Sequence, residues 1–90
     1  MPSVSDVSPL RFPLEFPLKV MGRDTREFHD ALAAILMRHV APLDTLRVTQ
    51  QPSREGRFVS VTITFIAESR EQLDALYTAL TRNEHVLMAL

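Results

Sequence analysis

Several residue types that would mark a particular chemistry are missing from this sequence. Cysteine is absent from its 90 residues, which excludes disulfide bonds and thiolate metal sites. There is no glycine-rich phosphate-binding loop, and no apolar run is long enough to span a membrane. The N-terminus also lacks the basic and apolar regions of a signal peptide. We therefore expect a cytoplasmic protein with no membrane partner.

An excess of positive charge is missing as well. The chain has 10 basic and 11 acidic residues, and its formal net charge is −1. Nucleic-acid-binding domains usually present a strongly basic surface, so we expect no nucleic acid partner. A hydrophobic content of 46% in a chain of this length is enough for one core. The sequence therefore predicts a single small domain.

The residues from Gly56 to Ala67 form the clearest secondary-structure pattern in the chain. Apolar and hydroxyl side chains alternate strictly there, which predicts a strand with one buried face. Its length and apolar inner face favour a central position in a sheet. The inward set is Val59, Val61, Ile63 and Phe65, and the outward set is Ser60, Thr62 and Thr64.

The N-terminal third of the chain predicts a tail followed by a strand. Residues 1–13 are rich in serine and proline, which predicts a mobile tail, and residues 14–90 are predicted to form the single domain. A strand then ends at Gly22, with alternating apolar residues on one face. Pro17 has no N–H group, so it must lie near the start of the paired region or face a gap in the pairing.

Two amphipathic helices follow from three- and four-residue apolar spacing. The first begins near a capping box formed by Asp24 and Glu27, although Thr25 could cap it instead, and Pro42 stops it. The second begins with a capping box from Ser69 to Gln72. Their predicted ends are His39 and Asn83.

Two shorter strands complete the predicted set of elements. The stretch from Leu46 to Gln50 is polar and is predicted to be an edge strand, with Pro52 outside its paired part. A turn then leads into the central strand as a hairpin. The last predicted strand has Val86, Met88 and Leu90 on its inner face.

The order strand, helix, strand, strand, helix, strand predicts an α+β fold of the ferredoxin-like βαββαβ type. Both helices must cover one face of an antiparallel four-stranded sheet with the order 4-1-3-2. The other face is predicted to be open. Met21 and Leu87 place apolar surface on that open face.

Four separated blocks of sequence resemble the YbeD-like family of small bacterial proteins. They are FPLKVMG from Phe16 to Gly22, Arg38-His39, GRFVSVTI from Gly56 to Ile63, and SREQLDALYTAL from Ser69 to Leu80. The resemblance covers residues 14–90. It implies a ferredoxin-like fold similar to ACT domains, the amino-acid-sensing modules of metabolic enzymes. The family has no established reaction.

The turn at Gly22 and Arg23 is the candidate ligand site. A helix N-terminus and an arginine together favour an anion, and the ACT likeness implies that an amino acid binds at the corresponding turn. Alternatively, Gly22 only supplies a backbone conformation that the turn needs, and Arg23 is solvated. The spacing of His29 and His39 excludes a shared metal ion, so no metal site, catalytic site or cofactor is predicted.

The leading hypothesis is therefore a non-enzymatic regulatory or adaptor domain of the ACT type, tuned by a small anionic metabolite. It would act as a homodimer or with another protein, pairing through a sheet edge or the open face. A protein-interaction module with no ligand is the second hypothesis. An RNA-binding module is the third, and it is disfavoured because the open face of the central strand lacks the aromatic pair on which bases stack.

Overall fold

A computed structural model describes residues 11–40 and 46–90 of the chain. The elements, in chain order, are β1 (Leu14–Arg23), α1 (Arg26–His39), β2 (Arg47–Pro52), β3 (Phe58–Ala67), α2 (Arg70–Arg82) and β4 (Met88–Ala89). All strand pairs are antiparallel, and the sheet order is β2-β3-β1-β4. The predicted ferredoxin-like fold and strand order are confirmed.

Two of the sequence predictions fall wholly or largely on residues outside the described ranges. The helix stop at Pro42 lies outside them, as do residues 1–10 of the predicted tail. Within the remainder of that tail, Phe12 is half-buried against the core. The division into a tail of residues 1–13 and a domain of residues 14–90 stays a prediction.

The core lies between the central strands and the two helices. β1 and β3 pair over their whole length, with Leu18 opposite Ile63 and Val20 opposite Val61. All four side chains are buried because strict alternation places them on the face that the helices cover. The helices contribute their own apolar stripes, whose fully buried members are Phe28, Leu76 and Leu80.

Each helix starts at a hydroxyl side chain. The Thr25 hydroxyl accepts a hydrogen bond from the Phe28 amide at 3.1 Å, so Thr25 and not Asp24 is the cap of α1. The Ser69 hydroxyl accepts from the Gln72 amide at 3.0 Å. The Gln72 side chain accepts from the Glu68 amide and donates to the carbonyl of His39 at 2.8 Å. Gln72 therefore joins the start of α2 to the end of α1.

Pro17 faces a gap, as its missing N–H group required. The ladder to β4 is carried by Lys19 and Met21, whose partners are the backbone groups of Leu90 and Leu87. The backbone N–H and C=O groups of the odd-numbered residues of β1 point toward β4. The ring nitrogen of Pro17 therefore points to the same side, at a position beyond the end of that short strand. No ladder bond is lost there.

Pro52 and the last strand correct two expectations. Pro52 belongs to β2 and pairs with Val59, because an edge strand tolerates proline where the missing N–H would face solvent. In β4, Ala89 pairs with Val20 and is half-buried, whereas Met88 pairs with Met21 on the open face. The predicted inward set is therefore wrong for Met88 and Leu90.

Leu87 also differs from its expected position. Leu87 lies opposite Gly22, and the alternation of side chains along β1 puts this pair on the helix side of the sheet. Its side chain is nonetheless largely exposed, at the end of the sheet beyond the helices.

Candidate functional site

Gly22 is buried at the end of β1 because two groups pack where a side chain would be. A Cβ atom added there would lie 2.5 Å from Phe28 Cε1 and 2.7 Å from the His85 carbonyl oxygen. The φ angle of Gly22 is not positive, whereas Gly56, in the β2–β3 turn, has φ 78°. The conformational explanation for Gly22 is therefore wrong. Glycine is needed there for close packing of α1 and the chain before β4.

Two acidic side chains of the protein itself, Asp24 before the cap and Glu27 in the first turn, already lie at the start of α1. The Asp24 carboxylate lies 2.7 Å from His29 Nε2, and its amide donates to the Arg57 carbonyl. The Phe28 amide donates its hydrogen bond to the Thr25 hydroxyl and is therefore not available to a ligand. Within the described ranges, the amides of Arg26 and Glu27 have no acceptor. These two donors remain for an external anion.

A pocket of about 300 Å³ adjoins this turn at the end of the sheet. We call it the end pocket. His85 Nε2 lies 3.9 Å from a carboxylate oxygen of Glu84 at its rim, and the His85 amide donates to the Asn83 side chain at 2.9 Å. Cationic and anionic groups thus meet around one space. The residues that line it are Arg23, Thr25, Glu27, Glu84, His85 and Leu87.

Arg23 borders both the end pocket and the open face of the sheet. It pairs with Phe58 in the register of β1 and β3, and its guanidinium carbon lies 5.5 Å from the centroid of the Phe58 ring. A cation at this distance from an aromatic face is attracted to it. The structure thus places Gly22 under Phe28 and Arg23 beside Phe58. The two predicted site residues are adjacent in sequence, but they contact different aromatic rings.

The described residues contain no group of three or more His, Asp or Glu side chains placed to hold a metal ion. Burial raises the pKa of the Tyr77 phenol, but this ring lies in the core beside Phe16, with 6.4 Å between centroids. The charged groups at the end pocket could bind and orient a small charged molecule.

The open face carries an apolar cluster that the sequence analysis located only in part. Met21 of β1 pairs with Met88 on one side and with Ser60 on the other. Beside them, a cleft of about 210 Å³ is lined by Met21, Phe58 and Ser60 together with the hairpin residues 51–53. Met88 was missed because β4 was assigned the opposite alternation.

Among residues 11–40 and 46–90, β2 forms an edge of the sheet with no partner on its outer side. All six of its residues are exposed. The Ser53 amide donates to the Phe58 carbonyl. The odd-numbered residues of this strand therefore direct their backbone N–H and C=O groups toward β3. Val48, Gln50 and Pro52 therefore direct their backbone groups outward. The outward donors are the amides of Val48 and Gln50, because Pro52 has none.

The chain matches a family model described as "Protein of unknown function (DUF493)" over residues 8–90. It is 38% identical to a UPF0250 protein of Paraburkholderia phytofirmans over 90 residues, which is the full length of both chains. A UPF0250 protein of Chromobacterium violaceum is 39% identical, with 88% of this chain and 89% of that protein covered. The predicted resemblance to the YbeD-like family is confirmed.

Solved structures show the same fold at low sequence identity. The solution structure of protein HP0495 from H. pylori has a TM-score of 0.74 at 17% identity, and covers 100% of this chain and 94% of that one. An uncharacterized protein from Thermotoga maritima has a TM-score of 0.63 at 13% identity, covering 82% and 90%. Within residues 11–40 and 46–90, no helix is long and apolar enough to cross a membrane.

Proposed function

This chain belongs to the DUF493 family of proteins of unknown function, and from that premise we propose that it is a non-enzymatic adaptor or regulatory domain that works as a homodimer. In this proposal, two copies pair along β2. A small metabolite that carries a carboxylate binds at the end pocket and tunes the pairing.

The bare edge of β2 is the observation that carries the proposal. An unpaired edge offers N–H and C=O groups to another strand, and here no residue of the strand is covered. If two copies pair antiparallel about an axis at Thr49, the Val48 amide meets the Gln50 carbonyl of the second copy. The Gln50 amide of that copy in turn meets the Val48 carbonyl. Both outward donors of each copy are then satisfied.

The side chains of β2 fit the same arrangement. Thr49 would face Thr49 of the second copy, a cross-strand pair that is favourable in antiparallel sheets. Arg47 would face the uncharged Gln51 and not a second arginine. Pairing in this register joins the two sheets into one, and it leaves the helices and the open face uncovered.

The end pocket supports the ligand part of the proposal. Arg23 supplies a cation, and the Glu27 amide, which has no acceptor among the described residues, adds a donor at the start of a helix, where negative charge is stabilised. Glu27 and Glu84 line the same space and disfavour a purely anionic ligand. A ligand with both a carboxylate and an ammonium group, such as an amino acid, answers both sets of charges.

Sedimentation velocity over a hundredfold range of concentration tests the pairing. We expect a dimer for the wild type and for Gln50→Ala, which keeps the backbone N–H. Gln50→Pro removes an N–H that the monomer does not use, so it should stay folded by circular dichroism and sediment as a monomer. A wild type that stays monomeric throughout, or a Gln50→Pro variant that still dimerises, would contradict the proposed interface.

Amino acids added at millimolar concentration test the ligand. A shift of the monomer–dimer equilibrium that Arg23→Gln abolishes supports regulation at the end pocket. A dimer that no added amino acid perturbs supports the alternative of an interaction module without a ligand.

A further inference from the structure

One corner of the open face combines apolar side chains with a cleft. Met21 lies between Met88 and Ser60 in adjacent strands. Phe58 precedes Ser60 by two residues and so lies on the same face of β3. Phe58 and Met88 are 37% and 50% exposed. We name this group of four residues (Met21, Phe58, Ser60 and Met88) the methionine corner. It lies on the face that neither helix covers.

The cleft in this corner has the size and lining of an anchor site. Its volume of about 210 Å³ is bounded by Met21, Phe58 and Ser60, which suits one bulky apolar side chain of a partner. The Ser60 hydroxyl oxygen is buried and has no hydrogen-bond partner among the described residues. Because methionine side chains are flexible, a small movement of Met21 would bring this hydroxyl within reach of a polar group.

Two β1 side chains beside the corner, Lys19 and Arg23, are both positive. Lys19 and Arg23 precede and follow Met21 by two residues, so they lie on the same face of β1. Neither takes part in an ion pair within the described ranges. The one carboxylate on this face of β1, Glu15, lies at the far end of the strand and pairs with Arg47 at 3.0 Å. The corner is therefore apolar with a cationic border.

We propose that the methionine corner docks an acidic, apolar segment of another protein. One large apolar side chain of that segment fills the cleft, and carboxylates beside it meet Lys19 and Arg23. A second copy of this chain does not fit, because stacking two open faces there would bring like charges together. Met21, Phe58, Ser60 and Met88 all lie outside β2, so this inference does not depend on the homodimer.

RNA fits the corner less well than an acidic segment does. Base recognition on such a sheet uses aromatic rings on neighbouring strands. Phe58 is the one aromatic residue on this face of β3, and the Arg23 guanidinium already lies over its ring. Nucleic acid is therefore an outcome of the test and not part of the proposal.

Titration of the ¹⁵N-labelled full chain, followed by amide chemical shifts, tests the proposal. The probes are two capped peptides with the same Leu-Phe centre, one flanked by pairs of glutamates and the other by pairs of lysines, and a single-stranded uridine oligonucleotide. We expect the acidic peptide to shift amides in the methionine corner, and to bind at least tenfold more tightly than the lysine peptide. Added salt should weaken this preference.

The chain offers a matched pair of variants for locating the site. Phe58 and Ile66 lie on the same face of β3 and are 37% and 39% exposed, but Ile66 lies at the other end of the strand. Phe58→Ser should weaken acidic-peptide binding at least fivefold, whereas Ile66→Ser should leave it unchanged. Arg23→Gln, which does not remove packing from the cleft, should also weaken it. Binding should persist in the monomeric Gln50→Pro variant.

Three results would overturn the inference. The first is the absence of corner shifts with the acidic peptide at millimolar concentration. The second is equal affinity for the two peptides, or equal loss in the Phe58→Ser and Ile66→Ser variants. The third is tighter binding of the oligonucleotide than of the acidic peptide, which would assign the corner to nucleic acid.

Discussion

Replacing Gly22 with alanine is expected to destabilise the fold more than its small size suggests. The new Cβ atom would lie 2.5 Å from Phe28 Cε1 and 2.7 Å from the His85 carbonyl oxygen, whereas carbon atoms at their optimal separation are about 3.5–4.0 Å apart. Phe28 has no exposed surface, so its ring has no free space to move into. The carbonyl belongs to the backbone and moves only with the chain before β4.

The expected cost follows from these two contacts. Overpacking of a core typically costs about 1–3 kcal/mol, and a clash with both a closed aromatic site and the backbone belongs at the upper end. We expect a loss of about 3 kcal/mol from a total stability of about 5–15 kcal/mol. For a domain of this size, that corresponds to a fall in Tm of roughly 12–24 °C.

Urea denaturation of four proteins checks this reasoning. They are the wild type, Gly22→Ala, Phe28→Leu and the double variant. Because leucine removes ring atoms that face the new methyl group, Gly22→Ala should cost at least about 1 kcal/mol less in the Phe28→Leu background. A Gly22→Ala variant within about 0.5 kcal/mol of the wild type, or strictly additive effects, would refute the packing explanation of this glycine.

Two further predictions concern the core. Ile63→Ala removes a fully buried side chain and should lower the free energy of unfolding by about 2–5 kcal/mol. Thr62→Ala on the open face should lower it by less than about 1 kcal/mol. Equal losses for the two variants in urea denaturation would mean that the open face is covered in solution. Burial raises the folded-state pKa of Tyr77 above its ordinary 10.0, so its contribution to stability is complete below pH 10 and is lost as the pH rises through the folded-state pKa. Tyr77 is the only tyrosine, so its phenolate absorbance gives this pKa directly, and thermal melts should show a smaller alkaline loss for Tyr77→Phe than for the wild type.

The fold could be predicted because its central features are local patterns. β3 alternates strictly from Val59 to Phe65, and each helix begins at a hydroxyl residue followed by an apolar stripe. Right-handed crossovers then leave few topologies for this order of elements. The strand order 4-1-3-2 therefore followed from the sequence without any knowledge of contacts.

The sequence could not predict in the same way which side chains of β4 point to the helix side of the sheet. Residues 86–90 are all apolar, so their alternation has no polar phase to define an inner face. The phase is set by tertiary hydrogen bonds instead, chiefly those of Leu87 and Leu90 to β1. The composition of the methionine corner depends on that phase, which is why the sequence placed Met21 and Ser60 on the open face but not Met88.

Gly22 shows a second kind of limit. The sequence identified the residue, but a glycine at the end of a strand is compatible with a turn, a ligand or close packing. The choice among these depends on contacts of Gly22 with Phe28 and with His85, and His85 lies far from Gly22 in the sequence. Likewise, Pro52 appeared to end β2 because the sequence does not show which side of a strand faces solvent.

The position of Pro17 has a consequence for misassembly. Beyond the end of β4, the side of β1 that faces away from β3 is unpaired in the described structure, and a foreign strand could add there as in a growing aggregate. Proline at the centre of that stretch supplies no donor, which leaves the Glu15 amide alone between Pro13 and Lys19 on that side. With one donor beside its carbonyl acceptors, this stretch offers an added strand fewer hydrogen bonds than an ordinary edge does. We therefore expect strand addition at β2, whose outer side has two donors, to be favoured over addition at this part of β1.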